Sequence, residues 1–181
     1  MIVVKFYENC LSKKPILTKC ITSLITFGAG DLICQKLEMK YSKREKIDWR
    51  RFFVQASFGF VYTPIFHYQF VHLLPYLFPP GKFSLIKSVA FDQTINVLLF
   101  TSCFFMYLEM ASGKHVQKAI EESKPKILPT IIDNWKVWPF LMAFNFRFVA
   151  IRYRVLFSNF CGMIWMAYLS YVQNIKLKKS L

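Results

Sequence analysis

Phe52 to Gly81 contains no aspartate, glutamate, lysine or arginine. The same holds for Val155 to Ile175 and for Gln93 to Leu108, and Cys20 to Gln35 carries a single charge, Asp31. A helix on the surface of a soluble core needs only one apolar stripe. A helix that crosses a bilayer needs about 20 mostly apolar residues, because the hydrocarbon layer is roughly 30 Å thick. Backbone groups inside that layer must be satisfied within the segment, which selects helices. The apolar runs therefore predict an all-α, polytopic membrane helix bundle forming a single domain over residues 1–181.

Punctuation along the chain sets the expected elements. Pro15 suits a helix start, so the first helix runs from about Ile16 to Leu37. Its Gly28-Ala29-Gly30 segment lets a neighbouring helix approach closely. A polar loop, Met39 to Asp48, leads to a second helix over Trp49 to Tyr76, with a kink expected at Pro64. Pro75, Pro79, Pro80 and Gly81 end that helix. The third covers Phe83 to Ala111 and stops at Gly113. Lys114 to Lys126 reads as a short amphipathic or loop region bounded by Pro125 and Pro129. The uncharged centre of Ile131 to Val149, Val137 to Phe146, is short for a full span and holds Pro139 and Asn145. The last helix is Val155 to Ile175, where Ser158 and Gly162 suit a packing face. The prediction is four transmembrane helices plus one short Pro-containing membrane or interfacial segment.

The net charge is +14, concentrated in the polar connections. Lys36 to Arg51 holds seven basic residues and Lys114 to Lys136 five, with Lys176, Lys178 and Lys179 in the tail. Basic residues flanking membrane segments face anionic lipid headgroups. No nucleic-acid motif accompanies them, so membrane lipids are the expected partners and nucleic acid is not. Five widely spaced cysteines without a Cys-x-x-Cys pair suit neither a disulfide framework nor a zinc site. Met1 to Cys10 resembles neither a secretory signal nor an Arg-rich transit peptide, which places targeting information within the mature chain.

No enzyme constellation is present in the sequence. His67 and His72 are five apart, not the four of a helical metal pair, and glycine-rich phosphate loops and Gly-x-Ser-x-Gly elbows are missing. Glu121 and Glu122 read as surface charge. No catalytic, metal or cofactor site is predicted. The informative residues are polar ones within apolar runs: Asp31, Gln35, Asp92, Gln93, Asn96, Glu109 and Asn145, with Arg147 close by. Asp31 and Gln35 share a helical face with Gly28, and Ser88, Asp92 and Asn96 recur every four residues as one stripe. Such groups face a bundle interior or a water-filled cavity. Two readings stay open: a polar conduit for solutes or ions, and a hydrogen-bonded network that fixes helix association.

Several motifs occur together in a known order. Gly30-Asp31 is followed by Gln35, and Asp48-x-x-Arg51 by Gly59, Pro64 and His67. Asp92-Gln93 lies in the third helix. Trp135, Trp138-Pro139, Asn145-Phe146 and Arg154 come next, and Trp165, Tyr168, Leu169 and Ser170 close the series. From about Tyr7 to Tyr171 the chain resembles the Mpv-seventeen family, also named for the twenty-two-kilodalton peroxisomal membrane protein. The resemblance implies a small integral membrane protein, most often of four transmembrane helices. It implies the mitochondrial inner membrane, with the peroxisomal membrane as the lesser option, and no enzyme activity. Some members are described as channels. Function is accordingly expected to be a channel for small solutes or ions, with a non-catalytic accessory subunit of a larger inner-membrane assembly, such as a respiratory complex, as the alternative.

The chain also departs from the pattern. Thr63 stands at a usual Gly, Gln69-Phe70 at Trp-Tyr, Leu98 at a Pro, Met142 at a Gln and Ala150 at a Pro. Losing two kink prolines is expected to straighten helices and to favour closed packing over a pore.

Overall fold

A computed structural model of the chain describes residues 2–41 and 46–179, with side chains over 5–40 and 46–167. All regular structure among the described residues is helical. The chain forms two compact units, one of Met1–His67 with Val155–Leu181 and one of Tyr68–Arg154.

In the first unit α1 (Ile2–Lys13) leads into α2 (Pro15–Tyr41) through Lys14 alone. A residue before proline is pushed out of the helical region, so the break falls there. α1 packs on α2 and buries Leu11; apolar pattern alone did not reveal this helix. α3 (Trp49–Tyr68) and α9 (Arg154–Lys179) supply the rest of the unit. The packing is close where glycine sits. A methyl group on Gly59 would lie 2.8 Å from both the Phe27 ring and the Ser23 carbonyl oxygen, and one on Gly28 would lie 2.8 Å from the Phe52 ring. Gly30 lies against Met163 of α9.

The second predicted helix does not continue as a plain α-helix to Tyr76. After Tyr68 the backbone widens into a π turn (Gln69–Leu73) and ends in α4 (Leu74–Leu77). The third is likewise interrupted: α5 (Ser84–Phe91), a π turn (Asp92–Asn96), then α6 (Val97–Ala111). The expected straightening is therefore corrected. The helix carrying Leu98 is irregular, and Gln69 opens the other π turn. Gly113 ends the run at φ +83, a conformation glycine adopts without steric cost.

The short amphipathic or loop region expected over Lys114 to Lys126 is part of a longer helix. α7 (Val116–Asn134) runs through both Pro125 and Pro129 and packs along α6. Each proline frees the carbonyl four residues earlier, here those of Glu121 and Pro125. All three residues are exposed, so these carbonyls face outwards while Ala119, Ser123 and Ile131 are buried. Packing against α6 thus outweighs proline's low helix propensity. α8 (Trp138–Phe148) is 11 residues long. At 1.5 Å per residue it covers about 16 Å, half of a hydrocarbon layer. Pro15–Lys40 and Ser84–Ala111 are long and apolar enough to cross a membrane.

Candidate functional site

In the first unit the acidic position is a closed ion-paired network. Gln35, one turn after Asp31, donates from Nε2 to Asp31 Oδ2 at 2.6 Å and to the Asp48 carbonyl at 3.0 Å. Its Oε1 accepts the Asp48 N–H at 2.7 Å. Asp48 immediately precedes α3, and its Oδ1 accepts the Arg51 N–H at 3.0 Å. This satisfies one of the free donors at a helix start. Arg51 then turns back: Nε lies 2.6 Å from Asp31 Oδ1, and Nη1 donates to Glu38 at 2.9 and 3.0 Å. Asp31 and Gln35 are fully buried. The Asp-x-x-Arg spacing is thus a cap residue and the third residue of its helix. The two motifs predicted separately form one cluster.

A second link in this unit involves residues that sequence reasoning passed over. Asn159 Nδ2 donates to Ser23 Oγ at 2.6 Å. Thr63 Oγ1 lies 2.6 Å from Ser23 Oγ and 2.7 Å from the Gly59 carbonyl. Thr63 has one hydroxyl proton, so it serves the carbonyl and the Ser23 proton serves Thr63. The departure at Thr63 therefore ties α3 to α2. Lys19, placed by sequence at the margin of an apolar run, is buried with Nζ 2.9 Å from His67 Nδ1.

The second unit holds the other acidic position. Asp92 is 3% exposed, and Gln93 and Asn96 are 8% and 7% exposed. Gln93 Nε2 donates to Asp92 Oδ2 at 2.7 Å and Asn96 Nδ2 to Oδ1 at 2.8 Å. Among the described residues no basic side chain pairs with this carboxylate. The π turn carries Asp92, Gln93 and Asn96, all three buried. Trp135 Nε1 donates to the Gln93 carbonyl at 2.8 Å and anchors the turn. Polar atoms without a partner gather in this unit: Gln93 Oε1, Asn96 Oδ1, Gln69 Nε2, Thr101 Oγ1 and Trp138 Nε1. Among the described residues of the first unit Gln55 Oε1 is in that state, while Asp31 Oδ1 meets the Arg51 guanidinium at 2.6 Å and the Tyr7 hydroxyl has Thr22 as a hydrogen-bond partner.

Asn145 is fully buried but does not bond to Asp92. Its Nδ2 donates to the Arg154 carbonyl at 3.2 Å. Arg154 Nη2 donates to the Phe146 carbonyl at 3.0 Å, with the guanidinium 5.3 Å from the Phe146 ring centroid. Cationic donors on the last carbonyls of a helix are favourable. Asn145-Phe146 and Arg154 thus secure the end of α8, and Trp138-Pro139 begins it, proline sitting where no intrahelical N–H is needed. Trp165 is half-buried, while the side chain of Tyr168 lies outside the described residues.

Glu109 is also not at Asp92. It pairs with Lys114 and Lys126, and Lys114 pairs with Glu122. The hydrogen bond to Glu109, with help from Glu122, raises the Lys114 pKa above the ordinary lysine range. Glu122 is thereby corrected from plain surface charge to a member of the α6–α7 cluster.

A sequence profile described as the Mpv17 / PMP22 family matches residues 109–170. PXMP2/4 family protein 4 of Dictyostelium discoideum is 33% identical over 167 residues, 91% of this chain and 89% of that protein. Peroxisomal membrane protein 2 of Bos taurus is 30% identical, with 91% and 86% covered. Protein sym1 of Schizosaccharomyces pombe is 26% identical, with 91% and 87% covered. No solved structure matches the chain. The likeness runs nearly end to end and includes the expected family, and with it the chain belongs to the Mpv17 / PMP22 family of membrane proteins.

Proposed function

We propose that the protein crosses the mitochondrial inner membrane with four helical spans and conducts small cations or solutes along the polar interior of its second unit. Two spans are the Pro15–Lys40 and Ser84–Ala111 stretches, and α3 and α9 supply the others. The observation that carries this reading is Asp92, a buried carboxylate held by two amides and, among the described residues, by no cation. A charge isolated in an apolar interior is costly, and contact with water or a cation removes that cost. Five buried polar atoms without partners lie in the same unit. Each costs about 1–3 kcal/mol if dry, so together they would consume roughly the whole stability of a typical domain. Water or permeating solute in contact with them removes that cost.

Planar-bilayer recording on the purified chain tests this. Conductance with cation preference is expected, and Asp92→Asn is expected to weaken the preference. No conductance, or currents indifferent to Asp92→Asn, would overturn it. Fractionation of tagged protein decides the organelle, since recovery with peroxisomes would replace the mitochondrial assignment.

A second reading, a non-catalytic accessory subunit, is supported by Asp31, whose charge goes wholly into joining α2 to α3. Native gels distinguish the two: migration only as a small species counts against a subunit of a larger assembly.

A further inference from the structure

The two buried aspartates differ in one respect that geometry makes plain. Asp31 has a guanidinium 2.6 Å away. Among the described residues Asp92 has only the Nε2 of Gln93 and the Nδ2 of Asn96, at 2.7 and 2.8 Å. The oxygen of each of those amides, Gln93 Oε1 and Asn96 Oδ1, is buried and accepts no hydrogen bond. Both belong to the same π turn as the carboxylate. Irregular turns of this type inside α-helices occur often at functional sites.

We propose that Asp92, Gln93 and Asn96 form a binding site for one monovalent metal cation. Carboxylate and amide oxygens are hard donors, suited to alkali and alkaline-earth ions. Charge selects between those two groups. One carboxylate neutralises one positive charge, whereas a divalent ion would leave a net charge in a low-dielectric interior. A half-turn of each terminal amide exchanges its NH2 for its oxygen. The same two side chains therefore serve the carboxylate as donors without an ion and the ion as ligands when it is present. This deepens the conduit reading and rests on it, since the ion held is one in transit.

Trp135 reports on the site, because its indole N–H is bonded to the Gln93 carbonyl. The test is tryptophan emission of the full chain in nanodiscs, titrated with sodium or potassium chloride against choline chloride at constant ionic strength. A saturable change is expected, lost with Trp135→Phe and weakened at least tenfold in midpoint by Asp92→Asn. Asn96→Asp, which adds a second carboxylate, is expected to shift preference to calcium. No saturable response, an equal response in Asp92→Asn, persistence in Trp135→Phe, or a response to pH alone (a proton as occupant) would each overturn the site. Bilayer currents separate the two proposals. A saturable response with conductance indifferent to Asp92→Asn sinks the conduit and leaves the site. Cation currents sensitive to Asp92→Asn, without a response, sink the site alone.

Discussion

Replacing Arg51 with methionine would leave Asp31 fully buried with Gln35 as its remaining partner. Breaking a buried pair from one side costs about 3–5 kcal/mol, because the other charge is left uncompensated. Asp31→Asn together with Arg51→Met is expected to recover part of that loss. Unfolding of the single and double variants in micelles measures the coupling, and simple additivity would show that the two do not act as a unit. Asp92→Asn is expected to behave differently, with stability unchanged or raised by about 1 kcal/mol, since no ionic partner is lost and a charge is removed from an apolar site. A loss above about 2 kcal/mol in the same assay would reveal that the carboxylate is needed for packing. The sequence showed that both aspartates are buried, because each interrupts an apolar run and shares a helical face with an amide. It did not show that their surroundings differ. Arg51 reaches Asp31 only because Gln35 holds Asp48 at the start of α3, a tertiary fact with no local signature.

Helix contacts in the first unit make Gly59 intolerant of any side chain. The Ser23 carbonyl that a Gly59→Ala methyl would strike is backbone, so the strain cannot be relieved by rotating a side chain. Overpacking of this kind costs typically about 1–3 kcal/mol. A matching fall in unfolding free energy is expected, and an unchanged value would mean that α2 and α3 separate freely. α7 carries the opposite expectation. Pro125 and Pro129 are exposed and each removes a helical hydrogen bond, so Pro125→Ala should stabilise α7 by roughly 1–3 kcal/mol. Amide exchange across Ala119 to Ile131 would slow. Faster exchange would show that the break in bonding is itself required. The long apolar helices were legible from uncharged length. α7 was not, because proline is a strong local stop and only packing on α6 overrides it. The π turns were not legible either: polar residues within an apolar run marked Asp92, Gln93 and Asn96 as inward-facing, but nothing in their spacing signals the wider turn that carries all three.

Polar side chains in the two units are satisfied to different degrees, and this gives the conduit reading its most direct consequence. In the first unit Ser23 is fully buried and bonded on both sides, to Asn159 and to Thr63. In the second, Thr101 is 2% exposed and its hydroxyl has no protein partner. If water reaches the second unit within the membrane, a thiol at 101 ionises and reacts with a charged, water-soluble reagent despite its burial, since the thiolate is the nucleophile. A thiol at 23 remains in dry packing and stays unreactive. The comparison is Thr101→Cys against Ser23→Cys, in a background where Cys10, Cys20, Cys34, Cys103 and Cys161 are replaced by alanine. Labelling at 101 should exceed that at 23 by at least about tenfold, equivalent to roughly 1.4 kcal/mol of difference in access. It should also slow when cations are added if permeating ions share the path. Equal protection at both positions would mean that the unsatisfied groups of the second unit are sealed from water. Asp92 would then be neutralised by a proton, and the helices around it would serve packing in the way that Asp31 and Arg51 do.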